Sequence, residues 1–153
     1  CPYVIEEDGH FTYQQKYYRK NKYEYCRKTL NEYSFAAIEK MKRAGVEKLE
    51  QYMIKYPWET EAERYTRRVL SRKNITRSNG CYDDCCSAAM VAYLYSVYRC
   101  AFMGYDHVEF YVKKMINIYI VCAIHVYHSV QMLCRENGFR QIEMDNKIWN
   151  GKI

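Results

Sequence analysis

Apolar side chains recur every three or four residues along most of this chain, which is the period of an amphipathic helix. Phe35, Ile38, Met41, Leu49, Tyr52, Met53 and Tyr56 follow that period. They predict a helix capped at Asn31 or Ser34 and stopped by Pro57. An earlier helix is expected from about Thr12 to Leu30, carrying Tyr13, Tyr17, Tyr18, Tyr23 and Tyr25. Thr60-Glu61-Ala62-Glu63 matches a capping box. Trp58, Ala62, Tyr65 and Val69 then form one face of a helix ending near Lys73, and Asn79-Gly80 marks a turn.

The pattern changes after Cys81. Asp83 or Asp84 can cap a helix whose only charged residue between Ala88 and Met103 is Arg99. A helix apolar on nearly all sides belongs at the centre of a bundle. Gly104 ends it and Asp106 caps the next, from about His107 to Asn137 with Gly138 as its C′ residue, so an antiparallel helical hairpin is expected. Met115–Cys134 carries no formal charge and has the length of a membrane span. Asn117, His125, His128, Ser129 and Gln131 interrupt it, so a buried core helix is the expectation. The β-branched run Ile116–Val121 is also compatible with a strand, and the tail Phe139–Ile153 has no clear period.

The expected fold is therefore all-α: a disulfide-stabilised bundle of about five helices around a central antiparallel hairpin. Residues 1–153 suit a single domain with a real core. A weak internal similarity at an offset of 74 aligns Cys26 with Cys100 and Ile38-Glu39-Lys40-Met41 with Val112-Lys113-Lys114-Met115. It suggests a division into two related helical modules, about 10–80 and 81–140.

Composition adds the compartment. The cysteines are Cys1, Cys26, Cys81, Cys85, Cys86, Cys100, Cys122 and Cys134, an even set without the spacing of a zinc site. Such a set reads as disulfides and an oxidising environment. Asn74-Ile75-Thr76 is an N-glycosylation sequon, and the start at Cys1 fits a mature secreted chain whose leader has been removed. Cys85 and Cys100 lie too far apart along one helix to bond, as do Cys122 and Cys134. A hairpin turning at Gly104 puts Cys122 opposite Cys86, or Cys85 after a one-residue shift. Cys26–Cys100 and Cys81–Cys134 are then expected, with Cys1 taking whichever of Cys85 and Cys86 remains.

The net charge of +6 lies wholly in residues 1–80, with 17 Lys/Arg against 11 Asp/Glu, while residues 81–153 balance at 7 each. Arg64, Arg67, Arg68, Arg72, Lys73 and Arg77 crowd one segment. Lys16, Arg19, Lys20, Lys22, Arg27 and Lys28 form another among tyrosines. A solvated helix face explains such runs, and so does a surface for an anionic partner. The partner-binding candidates are Arg64, Arg67, Arg68, Arg72 and Lys73. A host protein is the expected partner, with nucleic acid and stable membrane insertion disfavoured.

Catalytic signals are absent. There is no G-x-S-x-G and no H-E-x-x-H, and the Cys-Cys-x-x-His-Asp order of secreted phospholipases is missing. Cys122, His125 and His128 share a helical spacing that can converge on a metal, but no carboxylate lies on that turn. A bridged cysteine with histidines at the helix edge is the preferred account. No enzyme activity, metal or cofactor is expected.

The largest compositional anomaly is tyrosine, 18 of 153 residues. Tyrosine suits interfaces, because it is amphipathic and loses little entropy when fixed. Tyrosine and cysteine cluster twice, at Tyr23, Tyr25 and Cys26 and at Tyr95, Tyr98 and Cys100. In size, tyrosine content and these paired clusters the chain resembles the bicycle proteins, secreted effectors of gall-forming aphids. That resemblance implies a salivary protein that enters plant tissue and alters host development, with no catalytic site to carry over. Cys81-x-x-x-Cys85 matches one spacing of insect odorant-binding proteins, although their later cysteine pair is missing. The alternative expectation is a secreted carrier of a small apolar ligand.

Overall fold

The structure is a computed structural model that describes residues 3–5, 11–13 and 22–136, with side chains over residues 24–131. It is predominantly helical, as the all-α expectation has it. Two short strands precede the helices. Tyr3–Ile5 (β1) pairs antiparallel with Phe11–Tyr13 (β2), Tyr3 opposite Tyr13 and Ile5 opposite Phe11. Thr12 and Tyr13, at the start of the helix expected over Thr12–Leu30, are strand instead; residues 14–21 of that expectation lie outside the described residues, and helix is described from Lys22.

The first described helix, α1, spans residues 22–44 and has three parts. They are an α-helical start at Lys22–Lys28, a π turn at Thr29–Tyr33, and an α-helical run at Ser34–Ala44. The boundary expected at Asn31 or Ser34 is thus a widened turn inside one helix. The Ser34 N–H reaches back five residues to the Thr29 carbonyl. Gly45, with φ 86°, ends the helix where a straight run to Tyr56 was expected. The physical reason lies in the pattern itself: the apolar row skips from Met41 to Leu49 across Gly45. Lys48 at φ 61° then starts the short helix Leu49–Lys55 (α2).

Pro57 caps the next helix, α3, over residues 58–72. Its first turn, Trp58–Ala62, is also π, with the Ala62 N–H bonded to the Pro57 carbonyl at 3.0 Å. Thr60 lies inside that turn rather than capping it. Proline suits the cap position, because its missing N–H is one the helix start leaves unpaired.

The two long helices are Tyr82–Met103 (α4) and Val108–Glu136 (α5). The strand considered at Ile116–Val121 is helix. Gly104, at φ 67°, occupies the left-handed region, and the Tyr105 N–H closes the end of α4 onto the Cys100 carbonyl at 2.9 Å. The chain reverses across residues 104–107, and α5 packs along α4 for much of its length.

One core joins the two halves of the sequence, from Ala37 in α1 to Ala123 in α5. Within it α4 meets every other described helix. Its Ala88, Ala89 and Ala92 are buried, and their small side chains let backbones approach closely. By length and composition α4 is the one described helix able to cross a membrane; here 56% of its most apolar stretch is buried inside the protein. Polar atoms in this core are satisfied locally. Thr29, Thr66 and Ser96 donate to carbonyls one turn back at 2.8, 2.9 and 2.6 Å. Tyr93 donates to the Tyr56 carbonyl at 2.7 Å, tying α4 to the end of α2. Arg99, the single cation of α4 after Asp84, is also buried, and the Tyr111 hydroxyl accepts hydrogen bonds from both Arg99 and Tyr95.

Candidate functional site

The basic candidates lie on one helix with two distinct faces. Ala62, Thr66, Val69 and Leu70 of α3 turn into the core. Arg64, Arg67, Arg68 and Arg72 turn to solvent, and Lys73 follows just past the helix end. Arg64, Arg68 and Arg72 are spaced by four, so their side chains stack about 6 Å apart along one stripe. Arg67 reaches Glu63 at 4.0 Å. Among the described residues no ion pair engages Arg64, Arg68, Arg72 or Lys73. An exposed row of uncompensated guanidinium groups can meet a row of carboxylates or phosphates bidentately. Of the other basic group, Arg27 faces Glu32 at 3.8 Å and Lys28 faces Glu24 at 3.4 Å, which takes those two charges out of play. Lys16, Arg19, Lys20 and the Lys22 side chain lie outside the described residues.

The sequon stands beside this row. Asn74 is exposed at φ 58° in the turn after α3, with its N–H bonded to the Ser71 carbonyl at 3.0 Å. Ile75 folds inward against the core, and the Thr76 hydroxyl contacts Ser78 at 2.7 Å. A cleft of about 570 Å³ opens next to it, between residues 73–81 and α5, walled by Lys73, Asn79, Cys81, Tyr127, His128 and Gln131. Gln131 donates to the Tyr127 hydroxyl at 2.7 Å and holds that wall in place.

A second cleft, of about 360 Å³, lies at the π turn of α1. Leu30, Phe35, Ala88, Val91, Ala123 and Val126 make it apolar, and Asn31, Asp84 and Ser87 add polar groups. The widened turn at Thr29–Tyr33 carries Leu30 and Asn31 into that wall. Phe35 stays 46% exposed at its edge.

The cysteines fall otherwise than the hairpin arithmetic predicts. Cys122 turns away from α4 and meets Cys26 of α1, thiol to thiol, beside Tyr25. Cys86 is half-buried near the Tyr82 hydroxyl. The Cys86–Cys122 and Cys85–Cys122 bridges are therefore not the contacts found, and the Cys26–Cys100 bridge loses its partner to Cys122. Cys81 meets Cys85 one turn along α4. No disulfide joins the described cysteines, while Cys1 and the side chain of Cys134 lie outside the described part. The hydrogen bond to Cys122, and then burial, push the Cys26 thiol up. Burial pushes Cys85 and Cys100 up to about 12 each.

Cys122, His125 and His128 do not come together. Cys122 faces α1, whereas the His128 ring stands edge-on to Tyr127 at 5.9 Å on the cleft wall. No group of three metal ligands forms among the described residues.

Comparison with protein-family models, curated proteins and solved structures finds no significant match to this chain.

Proposed function

We propose that this protein is a secreted, non-enzymatic effector, braced by disulfides, that binds a host protein and alters plant development. The observation that carries the reading is the exposed stripe of Arg64, Arg68 and Arg72, continued by Lys73. Tyrosine-rich composition and the resemblance to bicycle proteins supply the biological setting. The complementary partner is a host protein with an acidic surface, since a row of arginines discriminates by charge and guides encounter. A glycan on Asn74 would stand at the end of this stripe and bound the contact area.

The test is a pull-down from host tissue, followed by binding of the captured partner across a salt series. The triple reversal R64E/R68E/R72E is expected to weaken binding at low salt by at least tenfold and to flatten its salt dependence. Equal affinity and equal salt slope for wild type and variant would move the contact surface elsewhere.

A second reading is favoured by the 360 Å³ cleft, which reaches the roughly 300 Å³ a small-molecule site needs. Here the protein carries a small apolar ligand, much as odorant-binding proteins do. A fluorescent naphthylamine probe should then bind at micromolar concentration and be lost in Val91→Trp, which fills the cleft. Binding that survives Val91→Trp unchanged would place the probe elsewhere and remove this reading.

A further inference from the structure

Two thiol pairs are already assembled in the fold. Cys26 and Cys122 are fully buried together and belong to elements 96 residues apart in sequence (122 − 26). With Tyr25 they form a cluster separate from the main core, flanked by Leu30, Ile118 and Val126. Ile118, Cys122 and Val126 are spaced by four, so they form the row of α5 that faces α1. Cys81 and Cys85 form the other pair. Cys81 caps α4 from just outside the helix, at φ −90° and ψ 0°, and Cys85 is one turn in. One helical turn rises about 6 Å over four residues, within the range of Cα separations that a disulfide spans.

We infer that these two contacts are the native disulfides of this part of the protein: Cys26–Cys122 clamps α1 onto α5, and Cys81–Cys85 locks the first turn of α4. The identity of the pairs rests on geometry alone. Their oxidised state in the mature protein rests on the secreted reading above.

The chemistry is thiol–disulfide exchange with a disulfide oxidant such as glutathione disulfide. One cysteine thiolate attacks an oxidant sulfur, forming a mixed disulfide and releasing one glutathione thiolate. The partner cysteine, as thiolate, attacks the mixed disulfide, closes the protein bond and releases the second glutathione. Each pair loses two protons and two electrons, and the oxidant takes them up as two thiols. Access differs between the pairs. Cys81 lies on the wall of the 570 Å³ cleft and keeps a small exposed surface, whereas its partner Cys85 is fully buried. Cys26 and Cys122 have no exposed surface, so their mixed disulfide forms before α1 docks and closes as it docks.

Cys86 and Cys100 are 14 residues apart on α4, about 21 Å along the axis, so they cannot bond to each other.

The test uses the full chain in two preparations, one secreted from a eukaryotic host and one reduced and refolded with the glutathione redox pair. Each is alkylated, digested without reduction by a protease that cuts before aspartate, and mapped by fragmentation mass spectrometry. Cleavage at Asp83 and Asp84 separates Cys81 from Cys85. The expected map of the refolded chain links Cys26 to Cys122 and Cys81 to Cys85. A link from Cys122 to Cys85 or Cys86, a link from Cys26 to Cys100, or alkylated Cys26 and Cys122 in the refolded chain overturns the inference. If the secreted preparation is fully reduced while the refolded one carries both links, the pairing stands and the secreted reading falls. The double variant C26S/C122S should melt about 10 °C below the oxidised wild type. Reduction should lower the melting temperature of wild type more than that of the variant. Equal shifts would mean that no covalent clamp joins α1 to α5.

Discussion

Raising the pH above about 10 should unfold this protein within one or two pH units, and the buried tyrosines should ionise together with the loss of helix. Five phenols carry the effect. Burial is the largest cause in each case, pushing Tyr56 up to about 12 and Tyr93, Tyr95, Tyr111 and Tyr119 above their ordinary value. Tyr119 has no exposed surface and Tyr95 none either, so the phenolate form of each is disfavoured most. A phenol whose pKa is raised by folding contributes stability that is whole below its unfolded pKa of about 10. That stability is lost as pH rises from there through the folded value, because the unfolded chain ionises first. Each such group removes up to about 1.4 kcal/mol per pH unit in this window. Just above pH 10 the five together remove at most about 7 kcal/mol per unit, and the three raised furthest, Tyr56, Tyr95 and Tyr119, go on removing up to about 4 kcal/mol per unit, against a total stability of about 5–15 kcal/mol for a domain. The measurement is a paired titration of far-ultraviolet circular dichroism and tyrosinate absorbance. Complete, gradual tyrosinate formation with the helix signal intact would show that these phenols are open to water.

Much of the architecture was legible because local signals agreed with one another. Pro57 and Gly104 mark boundaries that the structure uses, whereas the cap expected at Asp106 falls two residues before α5 begins at Val108; the nearly uncharged run from Ala88 to Met103 forms the helix that touches every other described helix. The alanines and tyrosines of the opening turns explain that run: Ala88, Ala89 and Ala92 admit neighbouring backbones, while Tyr93 and Tyr95 fill the space beyond and hand their hydroxyls to Tyr56 and Tyr111. Other boundaries were hidden. Tyr3-Val4-Ile5 and Phe11-Thr12-Tyr13 are β-prone triplets with the hairpin signal Asp8-Gly9 between them, and they set Thr12 and Tyr13 apart from Tyr23 and Tyr25, which are helical. The π turn at Thr29–Tyr33 inserts one residue into a helical turn, and no propensity scale marks it. Its trace in the sequence is a pair of hydroxyl residues, Thr29 and Ser34, at a spacing of five where helical neighbours differ by three or four.

The candidate sites divide along the same line. The outward arginines of α3 follow from periodicity alone, since Ala62, Thr66 and Val69 fix which face is inside. The cysteine contacts do not. Counting residues away from Gly104 gives the height of Cys122 along α5 but not its rotation about the axis. Met115, Ile116, Tyr119, Ile120 and Ala123 join the main core, which leaves Cys122 on the row that meets Cys26. Height came from the hairpin, and rotation came from long-range packing that one sequence does not encode locally. The clefts share this origin, because each is a gap between elements distant in sequence.

The same packing singles out Tyr119. Tyr119→Ala should cost about 3–5 kcal/mol, the loss usual for a large aromatic side chain removed from a core. The ring is fully buried on α5, and its hydroxyl lies 2.6 Å from Ser34 Oγ on α1. Ser34 spends its own proton on the Thr29 carbonyl at 2.6 Å, so Tyr119 is the donor in the pair. A three-member relay thus joins α5 to the π turn that shapes the 360 Å³ cleft. Ser34→Ala should cost about 1–3 kcal/mol, because it leaves the Tyr119 hydroxyl buried without its acceptor. Tyr119→Phe should cost less, since Ser34 keeps its bond to Thr29. In the double variant Y119F/S34A no orphaned hydroxyl remains, so the cost should fall below the sum of the single variants by about 0.5–2 kcal/mol. Urea unfolding of the four proteins at neutral pH decides this. Strict additivity would mean that the two hydroxyls do not interact, and a loss under about 1 kcal/mol for Tyr119→Ala would mean that α5 does not bury this face against α1 and α4.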